Sequence, residues 1–203
     1  MIAIIDYGVG NLFSLKNALT HCGIEAVVTG DPAQIEAADR IILPGVGAFE
    51  DAIAKLRADG LDQVVIEQAK AGKPLMGICL GMQLLFDVSH EFGLHKGLGL
   101  IPGDCVSIAE VIPAGLKIPH VGWNALKFTD KKSPLFKYIR EGDSVYFVHS
   151  FYCANCDEDV TAVTEYGADL TASVMRGNVF GCQFHPEKSG PVGAKILQAF
   201  SEV

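Results

Sequence analysis

Hydrophobic positions follow two spacings along the chain. Short runs of four to six largely apolar residues, "IAIID", "EAVVT", "RIILP" and "KPLMGI", recur in the first half, each bounded by glycine, proline or acidic residues. Such runs predict strands buried on both faces. The intervals between them, "LFSLKNALTHCG", "PAQIEAA" and "AFEDAIAKLRADGLDQVVIEQAKAG", carry apolar residues at helical spacing. Strand and helix alternate, so the expected architecture is α/β, with a central, mostly parallel sheet flanked by helices.

The second half changes character. "CVSIAEV", "SVYFVHSFY", "VTAVTEYG", "LTASVMRG" and "VFGCQF" are strand-like and separated by Gly, Pro, Asp and Asn turns. They are expected to add antiparallel strands to the same sheet. A closing helix is expected from Pro191 to Phe200. No repeat or linker interrupts the pattern, and residues 1–203 read as one domain.

Composition narrows the function classes. A formal charge of -8 and a pI near 5.2 leave no basic footprint for nucleic acid. No apolar run approaches a membrane span, and the N-terminus reads as a strand rather than a secretory signal. Six scattered cysteines suit a reducing compartment better than a disulfide framework, so a cytoplasmic location is expected. Cys153 and Cys156 form a lone C-x-x-C, which lacks the second pair of a zinc site and reads as two ordinary thiols. No metal or cofactor is expected. "YGVGNL" follows the first strand, but Phe13 stands where a dinucleotide fingerprint needs its third glycine, which argues against NAD.

The chemistry concentrates at "KPLMGICLGMQLLF", residues 73–86. Cys79 falls where a strand gives way to a helical pattern, with Gly77 and Gly81 two positions away on either side. A nucleophile elbow needs small neighbours where strand and helix crowd. A helix beginning at Cys79 would favour a thiolate through its free N–H groups, and the Leu80 N–H could hold an oxyanion. "CQFHPEKSG", residues 182–190, supplies a base and its orienting group. Pro186 favours extended backbone at His185, so His185 and Glu187, two apart, share a face. "PGVGAF", residues 44–49, follows the third strand at the same sheet edge, and Val46 could complete an oxyanion hole. His120 and His149 have no carboxylate at matching spacing and rank as positioning or structural residues.

These segments resemble the class I, triad-type glutamine amidotransferases. "GICLGMQ" is similar to their elbow and "FHPEKSG" to their His and Glu segment. "DYGVGN", "LPGVGAF", "GLGLIPG", "PHVGWN" and "YFVHSFY" are similar, in order and spacing, to the branch that feeds a (β/α)8-barrel cyclase subunit in histidine biosynthesis. The resemblance implies glutamine hydrolysis and delivery of ammonia within a heterodimer. It implies Cys79 as nucleophile, His185 as general acid/base and Glu187 as its orienting carboxylate, with Leu80 and Val46 at the oxyanion hole. It further implies glutamine contacts from Gln83, Glu91 and the His149, Ser150, Phe151 segment, and reorientation of the "PGVG" peptide before the hole is complete. Asn11, Trp123 and Lys188 are implied at the partner interface, although Trp123 could equally be a core residue and Lys188 a solvated charge. Val9 stands where members often carry Met or Pro.

Overall fold

A computed structural model describes residues 1–203. The apolar runs of the first half form strands β1 (Ile2–Ile5), β2 (Ala26–Thr29), β3 (Arg40–Gly45) and β4 (Leu75–Cys79). Between them lie helices α1 (Leu12–His21), α2 (Pro32–Ala37), α3 (Phe49–Ala58) and α4 (Leu61–Lys70). The long helical stretch at 48–72 is two helices because Gly60 adopts φ 69°, a left-handed turn that ends one axis and starts another.

An eight-stranded sheet runs in the order β2-β1-β3-β4-β14-β13-β12-β9, where β9 is Lys127–Phe128, β12 Val160–Glu165, β13 Asp169–Arg176 and β14 Val179–Cys182. The strands from β2 to β14 are parallel to their neighbours, and β13, β12 and β9 extend the sheet antiparallel. Residues along β3 alternate between two cores. Ile41 and Leu43 pack with Ile35, Phe49, Leu56 and Val65 of α2, α3 and α4, while Ile42 packs with Leu15 and Leu19 of α1 and with Phe200. Phe200 lies on the closing helix α6 (Gly190–Ser201). Burial on both faces explains why these strands read as unbroken apolar runs.

The expectation that all second-half strands join one sheet is corrected. "SVYFVHSFY" is interrupted at Ser150: β10 (Ser144–His149) pairs with β8 (His120–Ala125) in a two-stranded ribbon, and β11 (Phe151–Ala154) pairs with β7 (Ile101–Ser107) in another sheet. That four-stranded sheet, ordered β11-β7-β5-β6, is completed by β5 (Phe86–Ser89) and β6 (His95–Lys96). The chain thus changes sheets at residues 149–151. No helix is long and apolar enough to cross a membrane.

Candidate active site

β4 runs through the centre of the large sheet and ends at Cys79, with Gly45 of β3 as its partner on one side. Cys79 adopts φ 54° and ψ -112°, a conformation disfavoured for any residue with a side chain. It is followed by α5, which spans only Leu80–Leu84. The glycines permit this turn by removing bulk: a Cβ at Gly77 would meet the Gly81 backbone, and a Cβ at Gly81 would run into the Leu43 carbonyl. One expectation needs correction. The helix starts after Cys79 and has five residues, so its dipole is far smaller than that of a long helix. Its first N–H groups, Leu80's among them, still lack partners within the helix.

β14 lies beside β4 in parallel register, Cys182 opposite Ile78, so the residues that follow both strands emerge at one edge. His185 is held there by its own N–H, which donates to the Tyr146 carbonyl (2.9 Å), and by Ser189 Oγ, which donates to the His185 carbonyl (2.6 Å). His185 is extended, φ -100° and ψ 97°, but Pro186–Lys188 turns as one 3-10 turn rather than continuing the strand. Glu187 reaches back across that turn, and its Oε1 lies 2.8 Å from His185 Nδ1. Both side chains are 3% exposed, and Glu187 Oε2 has no hydrogen-bond partner.

Burial opposes a charge on His185, yet hydrogen bonds and negative charge from Cys79 and Glu187 overcome it and raise the imidazole to about 9. The outcome favours an imidazolium beside the sulfur at neutral pH. Gln183 strengthens the arrangement. It is fully buried, and its Nε2 donates to Cys79 Sγ at 3.7 Å. Gln83 Nε2 in turn donates to Gln183 Oε1 (3.0 Å) and to the Phe151 carbonyl (3.1 Å). Gln183 was missed in the sequence, although its signal is there: it stands two residues before His185 in "CQFH", just past the end of β14.

Cys79 and His185 open into a cavity of about 310 Å³. Val46, Leu80, Gln83, Glu91, His149, Ser150, Phe151 and Lys188 also line it, whereas Glu187 stands behind His185. Val46 is 41% exposed at the cavity rim, in the turn leading to α3. Glu91 Oε2 accepts from the Phe49 N–H (2.7 Å), so this carboxylate caps the start of α3 from the wall of the cavity. His149 points Nδ1 at the Phe151 carbonyl (2.8 Å) and Nε2 at His120 Nδ1 (3.0 Å). Asn11 and Trp123 do not line the cavity. Asn11 precedes α1 without capping it through its side chain. Trp123 is 56% exposed on β8, edge-on to Tyr146, which removes the core reading. Lys188 is exposed, with Nζ 5.9 Å from the Tyr146 ring centre. Cys153 faces Cys105 across β11 and β7, Sγ to Sγ 3.4 Å, rather than Cys156.

Comparison with known proteins extends this picture. The profile of the family described as glutamine amidotransferase class-I matches residues 3–202. "Imidazole glycerol phosphate synthase subunit HisH" of Moorella thermoacetica is 50% identical over 203 residues, covering 100% of this chain and 94% of that protein. The protein of the same name from Wolinella succinogenes is 47% identical over 205 residues, covering 100% of both. Among solved structures, a glutamine amidotransferase superposes with a TM-score of 0.76 over 100% of both chains at 20% identity. A chain of PurLQS from Thermotoga maritima superposes with a TM-score of 0.73 at 23% identity, covering 98% of this chain and 96% of that one. These two likenesses concern the fold, while the profile and the full-length identities concern the family. The chain belongs to the class-I glutamine amidotransferases, on the branch of the HisH subunits.

Proposed function

We propose that this chain is the glutaminase subunit of an imidazole glycerol phosphate synthase, hydrolysing glutamine and handing the ammonia to a cyclase subunit for histidine biosynthesis. The observation that carries the catalytic half is the meeting of a strained elbow cysteine with a buried His–Glu pair in one cavity. The near-half identity to HisH subunits over the full chain supports the pathway.

In this reading the Cys79 thiolate attacks the glutamine carboxamide carbon and forms a tetrahedral oxyanion, met by the Leu80 and Val46 backbone. His185 gives its Nε2 proton to the departing nitrogen, and ammonia leaves a thioester on Sγ. Water then loses a proton to His185 and attacks the thioester, releasing glutamate and restoring the thiolate. Glu187 fixes the tautomer by accepting from Nδ1, as triad carboxylates do. Gln83, Glu91 and the 149–151 segment hold the substrate.

Ammonia must reach its acceptor unprotonated, which calls for a docked partner that excludes water. We assign that partner as a (β/α)8-barrel cyclase forming a heterodimer, with Asn11, Trp123 and Lys188 at the contact. The exposed Trp123 and Lys188 flanking Tyr146 support such a surface. Six free thiols support a cytoplasmic location. The test is glutamate release by the chain alone and with a cognate cyclase subunit carrying its nucleotide ligand. Low release alone, a rise of orders of magnitude in the complex and loss in Cys79→Ala are expected. A complex no more active than Cys79→Ala would overturn the reading.

A further inference from the structure

The His120–His149 pair poses a proton-counting problem. Asn124 Nδ2 donates to the Glu165 carbonyl (3.0 Å), so Asn124 Oδ1 is the atom that faces His120 Nε2 at 2.9 Å. An amide oxygen only accepts, and His120 Nε2 must therefore carry hydrogen. At the other end the Phe151 carbonyl also only accepts, so His149 Nδ1 must carry hydrogen too. Between the rings, His149 Nε2 and His120 Nδ1 stand 3.0 Å apart. Without a third hydrogen two lone pairs would face each other there. Two neutral imidazoles hold one ring hydrogen each, one fewer than these contacts require.

We infer that His120 and His149 together hold three ring hydrogens, a buried shared cation, and that this pair is a positioning element for the 149–151 segment beside Cys79. The surroundings of His120 fit a positive charge. Its ring is stacked between Tyr166, with centroids 4.1 Å apart, and Phe147, 5.1 Å apart. Aromatic faces are negative and stabilise a cation laid against them. Burial works in the other direction, and at His149 the positive charges of His120 and His185 add to it, pushing His120 down and His149 down to about 4. We give the contacts greater weight, because losing the central hydrogen costs the hydrogen bond and sets two lone pairs in opposition. The titratable groups facing the pair are Tyr166 over His120, His185 toward His149, and Cys79 and Lys188 across the cavity.

The consequence for the site lies at Phe151. Its carbonyl is clamped between His149 Nδ1 and Gln83 Nε2 where the chain passes from β10 to β11. A complete proton set fixes this crossover, and its charge favours an anionic substrate group such as an α-carboxylate. The positioning role rests on the glutaminase reading, whereas the proton count does not.

The experiment separates the two. The ligand-free chain, ¹⁵N-labelled in its six histidines, is followed by long-range ¹H–¹⁵N spectra at neutral pH, with Asn124→Leu and Asn124→Asp alongside. Three hydrogen-bearing nitrogens among the four of the pair are expected. Two in the wild-type chain would overturn the inference. Asn124→Leu removes one acceptor and is expected to leave two hydrogens, whereas Asn124→Asp gives up the donor to the Glu165 carbonyl but keeps an acceptor, now charged, facing His120 and is expected to keep three. In the complex with a cyclase subunit, Asn124→Leu is expected to raise the glutamine KM about tenfold with little change in kcat, and Asn124→Asp to restore it. An unchanged KM in Asn124→Leu would overturn the positioning role. No glutamate release by the wild-type complex would overturn the glutaminase reading, and the spectra would still decide the proton count.

Discussion

Removing the sulfur of Cys79 is expected to lower the pH at which His185 loses its charge. The imidazole sits about 2.5 pH units above its ordinary 6.5, at about 9, which amounts to a preference of about 3 kcal/mol for the charged form. That preference is a net result: burial at 2% exposure pulls the ring toward neutrality, while Cys79 and Glu187 pull harder the other way. Cys79→Ala deletes one support and leaves the burial in place, so the midpoint of His185 should fall clearly below about 9. Glu187→Leu, which removes both the charge and the acceptor, should lower it as well, and with both changes burial alone acts and the midpoint should drop below 6.5. The assay is an NMR titration of the His185 ring in the four proteins. A midpoint that stays put in Cys79→Ala would show that the thiolate does not hold this proton, refuting the ion-pair account of nucleophile activation. The same sign governs turnover. The proton given to the leaving nitrogen is available below about 9 and lost above it, so ammonia release should fail on the alkaline side.

Other outcomes follow from the same geometry. Gly81→Ala drives a Cβ into the Leu43 carbonyl and should cost about 3 kcal/mol, read as a lowered urea midpoint; unchanged stability would mean that β3 and α5 can part. Gln183→Leu takes the amide donor from Cys79 Sγ and the acceptor from Gln83, and kcat for glutamate release should fall about tenfold or more; full activity would remove Gln183 from the site. Burial raises Cys156 to about 12, so its contribution to stability is complete below the ordinary thiol range and is lost as pH climbs through and above that range. Denaturation midpoints should therefore fall less steeply above about pH 8.5 in Cys156→Ala than in the wild-type chain, and identical slopes would contradict the burial.

Legibility in the sequence depended on how local the determining physics was. The strands β1, β3 and β4 were readable because burial on both faces imposes unbroken apolar runs bounded by breakers. The elbow was readable because only missing side chains let β3, β4 and α5 approach so closely, and glycines are visible in a sequence. The sheet membership of β10 and β11 was not readable. Both lie in one apolar run, and what meets the chain just past the break at Ser150, the Gln83 amide donating to the Phe151 carbonyl, comes from far away in sequence. The turn after His185 was hidden for a similar reason. Pro186 restricts the residue before it, but the Ser189 hydroxyl that closes the turn acts from four residues away. The Asn124–His120–His149 chain spans two strands and a ribbon pairing, and periodicity carries no trace of it.

The backbone of Cys79 has a bearing on how the chain can change over time. At φ 54° and ψ -112° a side chain stores roughly 1–3 kcal/mol of strain, and glycine alone would relieve it. Cys79→Gly would shed that strain, but also a buried side chain and the sulfur beside His185, and it should be wholly inert. The strain is a cost that folding bears at the one position where turnover needs the sulfur. A lineage released from that demand would lose no turnover by exchanging this residue, and a screen for thermal stability alone would do nothing to protect the nucleophile.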